Sequence, residues 1–272
     1  MKIAIQGISG SYHDQVAKIY FGNECTILDC MTFDDVVLSV KDGVSDFGVM
    51  AIENSIAGSL IPNYSLIDES NLKIIGESYI NINHQLMVAP GVKIDDIKTI
   101  SSHPMALLQC KDFLKNSNKL ILEDKDTAEV AKKISKNNFT DMAAIASKKA
   151  AEIYGLDIIE KNIQTIKNNE TRFVILSAED SLNSTIEKNK ASLKLILNHS
   201  NGSLAKVLNI FHNYNINLTK IQSIPVIETP WKYSFFIDVT FTNINDYINA
   251  IKNVKLNSEL LKEFGLYKSE KL

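Results

Sequence analysis

The sequence predicts an α/β protein in two parts. Residues 1–180 should form a two-lobed domain with largely parallel sheets and an interlobe cleft. Residues 191–272 should form a ferredoxin-like βαββαβ sandwich. Three observations carry this reading. Short apolar runs alternate with helix-patterned segments through the first part, which gives βαβ units and parallel pairing. A polar break follows at 178–190, rich in Glu, Asp, Ser, Asn and Lys. Beyond it the order becomes strand, helix, strand, strand, helix, strand.

The bulk properties agree. A chain of 272 residues suits one large domain or two to three smaller ones. Apolar residues at 45% and charged residues at 22% can build a sizeable core. A net charge of -3 and a pI near 6.0 argue against nucleic acid as a partner. Cys25, Cys30 and Cys110 have no regular spacing. That fits reduced thiols and gives no metal motif. The apolar start at 1–7 is too short for a signal peptide, and no window approaches the ~18 apolar residues of a membrane span. The expectation is a cytoplasmic protein without membrane contact.

Taken in order, residues 2–6 read as a first strand. A Gly/Ser loop at 7–13 then leads into a helix over about 14–21. Backbone N–H groups at such a place can hold an anion, or the loop is a plain tight turn. Its glycine spacing is not that of a dinucleotide site. Thr32 caps a helix to 42, with Gly43 beyond its end. A strand at 47–52 is followed by Glu53, Asn54 and Ser55, at the end of the strand where α/β sheets meet ligands. Strands at 72–80 and 84–89 come next. Residues 101–104 form a turn, and Pro104 opens a helix over 105–115 whose apolar face is Leu107, Leu108, Phe113 and Leu114. His103 is read as a cap. A strand at 120–122, a helix capped by Asp126 and Thr127, a strand at 143–146 and a helix at 148–154 closed by Gly155 complete the alternation. A strand-like run at 156–159 precedes the strand that begins at Thr171. In the second part the strands fall at 191–198, 217–225, 232–241 and 264–268, and the helices at 202–211 and 245–254.

One residue stands apart. Of 29 Lys plus Arg only Arg172 is an arginine, leaving 28 lysines. Its planar fork binds a carboxylate bidentately, which Lys cannot do. The alternative is a surface arginine on a strand edge. Side chains alternate along a strand, so Thr171 and Phe173 should share one face and Arg172 the other.

Together these residues resemble a known family. Gly7-x-x-Gly10-Ser11-Tyr12, Ile52-Glu53-Asn54-Ser55-x-x-Gly58, Ser102-His103-Pro104-x-Ala106-Leu107, Asp126-Thr127-Ala128 and Asn169-x-Thr171-Arg172-Phe173 stand in the order seen in prephenate dehydratases. The tail, with Gly202-Ser203-Leu204 and the run from Asn217 to Pro225, resembles the regulatory ACT domain that follows the catalytic domain there. Departures are Ala51 for Pro, His13-Asp14 for Ser-His, Thr165 for Asp, and Gln222 and Ile224 for Glu and Arg.

The resemblance implies conversion of prephenate to phenylpyruvate with loss of water and carbon dioxide. Aromatisation drives that reaction, so no cofactor or metal is implied. The site must hold two carboxylates, assist the departing hydroxyl and exclude water. Thr171 is implied as the group that assists departure, with Glu53 as a proton source behind it. Gln6, Ser9, Asn54, Ser55, Ser102, Thr127, Arg172 and Phe173 are implied as substrate-binding. Gly202, Ser203, Leu204, Asn217, Leu218 and Gln222 are implied as an allosteric site for L-phenylalanine, in a homodimer or homotetramer. Arogenate or dual specificity remains open, as does a non-catalytic ligand-binding regulator.

Overall fold

Ile3, Ala4 and Ile5 are closed to solvent at the centre of β1 (Lys2–Gln6). This strand pairs in parallel with β2 (Thr26–Cys30) on one side and β3 (Phe47–Asn54) on the other. The structure, a computed structural model, describes residues 1–179, 187–226, 229 and 232–271. Most of the polar break expected at 178–190 lies outside the described residues.

Two units are formed, Met1–Gly58 with Ser78–Phe173, and Ser59–Glu77 with Val174–Leu272. In the first, α1 (Tyr12–Phe21) is capped by Ser11, whose hydroxyl accepts from Asp14 N. A capping box starts α2 (Phe33–Lys41): Thr32 Oγ1 accepts from Asp35 N, and Asp35 accepts from Thr32 N. β2 is absent from the sequence reading because it is short and carries only two strong β-formers, Thr26 and Ile27, in a row. β3 runs two residues further than predicted, so Glu53 and Asn54 belong to the strand. The short β4 (Gly58–Ser59) turns back on it.

Sheet order in the first lobe is β2-β1-β3-β11-β5, with β5 at Lys73–Asn81 and β11 at Glu170–Ser177. The second sheet runs β10-β6-β9-β7-β8. Its strands are β6 (Gln85–Val88), β7 (Thr99–Ser102), β8 (Leu120–Glu123), β9 (Met142–Ala146) and β10 (Asp157–Glu160). β7 is parallel to β8 and β9, as βαβ alternation predicts, whereas β6 is antiparallel to β9 and β10. This second sheet is therefore mixed. The helix expected over 105–115 breaks at Cys110 into α4 (Pro104–Gln109) and α5 (Lys111–Lys115). Leu107 and Cys110 are buried there, but Leu108 is 63% exposed and lies off the packed face. Asp126 caps α6 (Thr127–Asn137), Ser147 caps α7 (Lys148–Tyr154), and left-handed Gly155 closes α7.

The second unit is built on β12 (Lys190–Ile196), β13 (Asn217–Pro225), β14 (Tyr233–Thr240) and β15 (Leu260–Tyr267) in the antiparallel order β13-β14-β12-β15. Leu193, Leu195, Ile237 and Val239 pack on one face against Val207 and Phe211 of α8 (Ser203–Asn213) and Tyr247 and Val254 of α9 (Ile244–Leu256). Alternation turns Lys194 and Phe236 to the other face. There they meet α3 (Ile61–Ser70), a helix the sequence reading lacks because it has no side-chain cap and no clear apolar stripe. Asp68 of α3 pairs with Lys194 and, at 2.9 Å, with Lys262. Burial alone would raise the Asp68 carboxyl, but the two ammonium groups outweigh it and hold it below its usual range. Tyr64 meets Phe236 edge-on.

Deeper in this unit, Lys190 and Glu77 pair at 2.8 Å with almost no exposure. Gly265 lies against the backbone of Ile74, so close that a Cβ would stand 1.8 Å from the Ile74 carbonyl oxygen. Backbone cannot retreat as a flexible side chain can, so this contact requires glycine. Gly265→Ala should destabilise the protein by about 1–3 kcal/mol, as overpacking does. Chemical denaturation would read that loss, and an unchanged midpoint would show the contact to be soft.

Candidate active site

Asn54 is the last residue of β3 and is buried. Its Oδ1 accepts two backbone N–H groups, from Ile56 at 3.0 Å and Ala57 at 2.9 Å. A backbone N–H can only donate, so the amide has one orientation. Its Nδ2 then donates to Asn169 Oδ1 at 2.6 Å, to Thr171 Oγ1 at 2.8 Å and to the Glu170 carbonyl at 3.2 Å. Thr171 thus receives a hydrogen bond from Asn54, and its own proton is directed elsewhere. Ser55 seals the seam beside this group. Its N–H donates to Glu170 O at 2.8 Å, and its hydroxyl accepts from Glu170 N at 3.0 Å.

The hydrogen bond between Asn54 and Thr171 puts both side chains on one face of neighbouring strands. Asn169, two residues before Thr171, joins them. Alternation sends Glu53 and Arg172 to the opposite face. Arg172 is only 5% exposed, which rules out the surface arginine. Phe173 is buried, and its ring meets the His13 ring at right angles with 5.0 Å between centroids. The N–H of Ala51 donates to His13 Nε2 at 3.4 Å. Burial pushes His13 down to about 3, so the ring is neutral and can accept that bond.

The Gly/Ser loop is a tie rather than an anion cradle. Gly7 N donates to Cys30 O, Gly10 N to the Asp14 carboxylate and Ser11 N to Ile8 O. Ser147 and Tyr154 then donate to the carbonyls of Gly10 and Ser9, both at 2.7 Å. Gln6 and Gly7 instead share a small cavity of about 30 Å³ with Lys125, Asp126 and Glu129. Burial raises the Asp126 carboxyl there. Thr127 is buried in the first turn of α6. Ser102 is fully buried, and its hydroxyl donates to Ile145 O at 2.6 Å. Its proton is committed to joining β7 and β9. The structure therefore gathers Asn54, Ser55 and Thr171, and places Gln6 and Thr127 around Asp126. Ser102 stands in the second sheet.

The sequence reading gives no role to Asn169, which stands just ahead of β11, where strand alternation does not place it. It also left His84 and Gln109 unassigned. Those two form a partly buried chain in which the His84 ring lies 3.3 Å from Tyr12 OH and 2.9 Å from Gln109 Oε1.

In the second unit a cavity of about 460 Å³ is lined by Leu197, His199, Ser203, Lys232, Phe235 and Glu259, among others. Gly202 precedes α8 in the left-handed region at φ 76°. Ser203 alone of the six expected effector residues lines this cavity. Leu204 and Leu218 pack on the core, while Asn217 is exposed and Gln222 half-buried on edge strand β13.

An α/β unit with a hydroxyl held between strand ends is joined in this chain to a βαββαβ unit with its own cavity, and the comparisons with known proteins give that arrangement its class. The chain belongs to the prephenate dehydratase family: that family's profile matches residues 3–181, and the ACT domain profile matches 192–246. It is a dehydratase. A bifunctional chorismate mutase/prephenate dehydratase from Buchnera aphidicola is 35% identical over 98% of this chain and 70% of its own length. Arogenate dehydratase/prephenate dehydratase 2 of Arabidopsis thaliana is 35% identical over 98% of this chain and 72% of its own. Among solved structures, the quorum-quenching acylase GqqA superposes with a TM-score of 0.89 at 27% identity, covering 100% of this chain and 99% of that one. A prephenate dehydratase from Arthrobacter aurescens, solved with L-Phe, shares the fold at a TM-score of 0.87 and 24% identity, over 98% and 90% of the two chains.

His13 makes this site sensitive to acid. The unfolded imidazole takes its proton near 6.5 and the folded one only near 3. Below about pH 6.5 the unfolded state binds more protons, so stability falls as pH falls towards 3. His13→Gln keeps an acceptor for Ala51 without the titration. Its melting temperature should fall less than the parent's between pH 6.5 and 4, and parallel curves would refute the assignment.

Proposed function

We propose that this dehydratase converts prephenate to phenylpyruvate, with Thr171 donating to the departing hydroxyl. The carrying observation is the fixed Asn54 amide, which occupies the acceptor side of Thr171 and leaves its proton for a ligand. In this reading the bond from the ring to its carboxylate breaks, carbon dioxide leaves, and the bonding pair enters the ring. The ring expels the hydroxyl with its own electron pair. A proton passing through Thr171 makes it water, and solvent reprotonates Thr171. A Thr hydroxyl is a weak acid, so its part is hydrogen-bond donation and relay. Gln6, Ser9 and Ser55, half-buried or exposed, are the proposed neutral contacts for the carboxylates, with Thr127 beside Asp126. Glu53 faces the side of the strand opposite Asn54 and Thr171, so it is not proposed as the proton source behind Thr171. Arg172 is proposed to anchor the strand from that same opposite face.

Arogenate differs from prephenate in carrying an amino group for the keto oxygen, and the Arabidopsis relative is named for both substrates. Purified protein assayed with each compound decides the preference. Thr171→Ala should lower turnover by about 10²–10³-fold, the usual loss of one transition-state donor, while Thr171→Ser should keep part of it. Full activity in Thr171→Ala would remove Thr171 from the mechanism, and a parent protein inactive on both compounds would favour a non-catalytic regulator.

L-Phenylalanine is proposed as effector in the cavity of the second unit, whose size lies within the roughly 300–1,000 Å³ of small-molecule sites. Leu197, Tyr233 and Phe235 offer an apolar wall, and the N-terminus of α8 and the Lys232–Glu259 pair offer charge complements for an amino acid. The protein is proposed to act as a homodimer or homotetramer in the cytoplasm. L-Phenylalanine should raise the melting temperature and lower turnover. No change in either would leave the tail a structural module.

A further inference from the structure

We propose that Asn169 is a second hydrogen-bond donor to the substrate's departing hydroxyl, beside Thr171. The inference rests on the dehydratase reading above and adds a residue to it. Asn169 is fully buried. Its Oδ1 accepts from Asn54 Nδ2 at 2.6 Å. Asn54 cannot turn, because Ile56 and Ala57 hold its carbonyl with backbone N–H groups. Turning Asn169 instead would set two NH₂ groups against each other. Both amides are thereby fixed, and Asn169 Nδ2 must face away from Asn54. In that position it has no hydrogen-bond partner among the described residues.

A buried donor without an acceptor is costly to keep unless something supplies the acceptor. Its surroundings say where that acceptor must arrive. Asn169 Oδ1 and Thr171 Oγ1 take hydrogen bonds from the same nitrogen, so the two side chains are neighbours. An oxygen that accepts the Thr171 proton lies within reach of the Asn169 amide. The expelled hydroxyl leaves with its electron pair, so its oxygen gains negative charge as the C–O bond breaks. Two donors aimed at it stabilise that charge more than one.

Asn169→Asp separates this role from a structural one. The carboxylate still accepts from Asn54 but offers no proton, and it repels a departing oxygen. Turnover of prephenate at neutral pH should fall at least 100-fold with KM changed far less. Activity should return in part as pH falls and the carboxyl regains its proton. If the parent turns over prephenate and Asn169→Asp stays within threefold of it at all pH values, Asn169 only supports Asn54 and the proposal is wrong. If the parent is itself inactive, the dehydratase reading fails instead. Should the variant not fold, the side-chain amide resonance of Asn169 in the parent carries the test. It should shift with a ring-saturated hydroxy-dicarboxylate analogue and not with phenylpyruvate, which lacks the hydroxyl. Equal response to both, or to neither, overturns the proposal.

Discussion

The Asn54 amide is the group on which the rest of the site depends. Two backbone N–H groups of the turn after β3 fix its carbonyl, and that fixes what its nitrogen does. The nitrogen reaches across to β11 and sets the hydrogen-bond direction of Asn169 and Thr171. A threonine hydroxyl in water rotates freely, with its proton in no defined place. Here one amide occupies an acceptor side of that hydroxyl before substrate arrives and narrows where its proton can point, a preorganisation that makes a weak acid useful. The Ser55–Glu170 seam holds the same two strand ends together, so the geometry does not rest on a single bond.

The turn that supplies those N–H groups is followed directly by α3, and α3 is gripped by the β12–β15 sheet. Asp68 pairs with Lys194 and Lys262, and Lys220 donates to Ser59. Partly exposed ion pairs of this kind are individually weak, roughly 0–1 kcal/mol. The buried Glu77–Lys190 pair is different. Removing one partner would strand a charge and cost about 3–5 kcal/mol. Ser269 also donates to that carboxylate, so each buried charge is surrounded by matching groups. The segment 59–77 is therefore bound to the C-terminal sheet by packing, ion pairs and the Gly265 contact together.

Much of this was legible in the sequence, for identifiable reasons. Strands with runs of Ile, Val and Ala announced themselves, as did helices with Thr32, Asp126 and Gly155 at their ends. α3 was not legible, because its order comes from ion pairs with residues more than 120 positions away rather than from its own pattern. β2 was lost because an edge strand needs little apolar surface. The break at Cys110 is hidden because the helical apolar spacing carries on past it to Phe113 and Leu114, and Leu108 reads as core and is not. At the site, the residue types were readable but their division between strand faces was only half used. Alternation separates Thr171 from Arg172 and, once β3 is seen to run through Asn54, separates Asn54 from Glu53 as well.

His13 and Ala51 show why departures from a family pattern need a physical reading in pairs. Proline at 51 would have no N–H to give. With alanine there, an N–H exists in a buried strand and must find an acceptor. His13 supplies it, and burial keeps the ring neutral so that it can. The lone arginine follows the same logic of burial. Lysine serves wherever the charge reaches water. Among the described residues only one lysine is buried, Lys190, and it needs the whole Glu77 carboxylate to be so. A guanidinium is less strongly hydrated and spreads its charge over a planar fork. Arg172 sits in an almost continuously buried strand, and in that place the choice of Arg over Lys follows from desolvation, whether or not the side chain meets substrate.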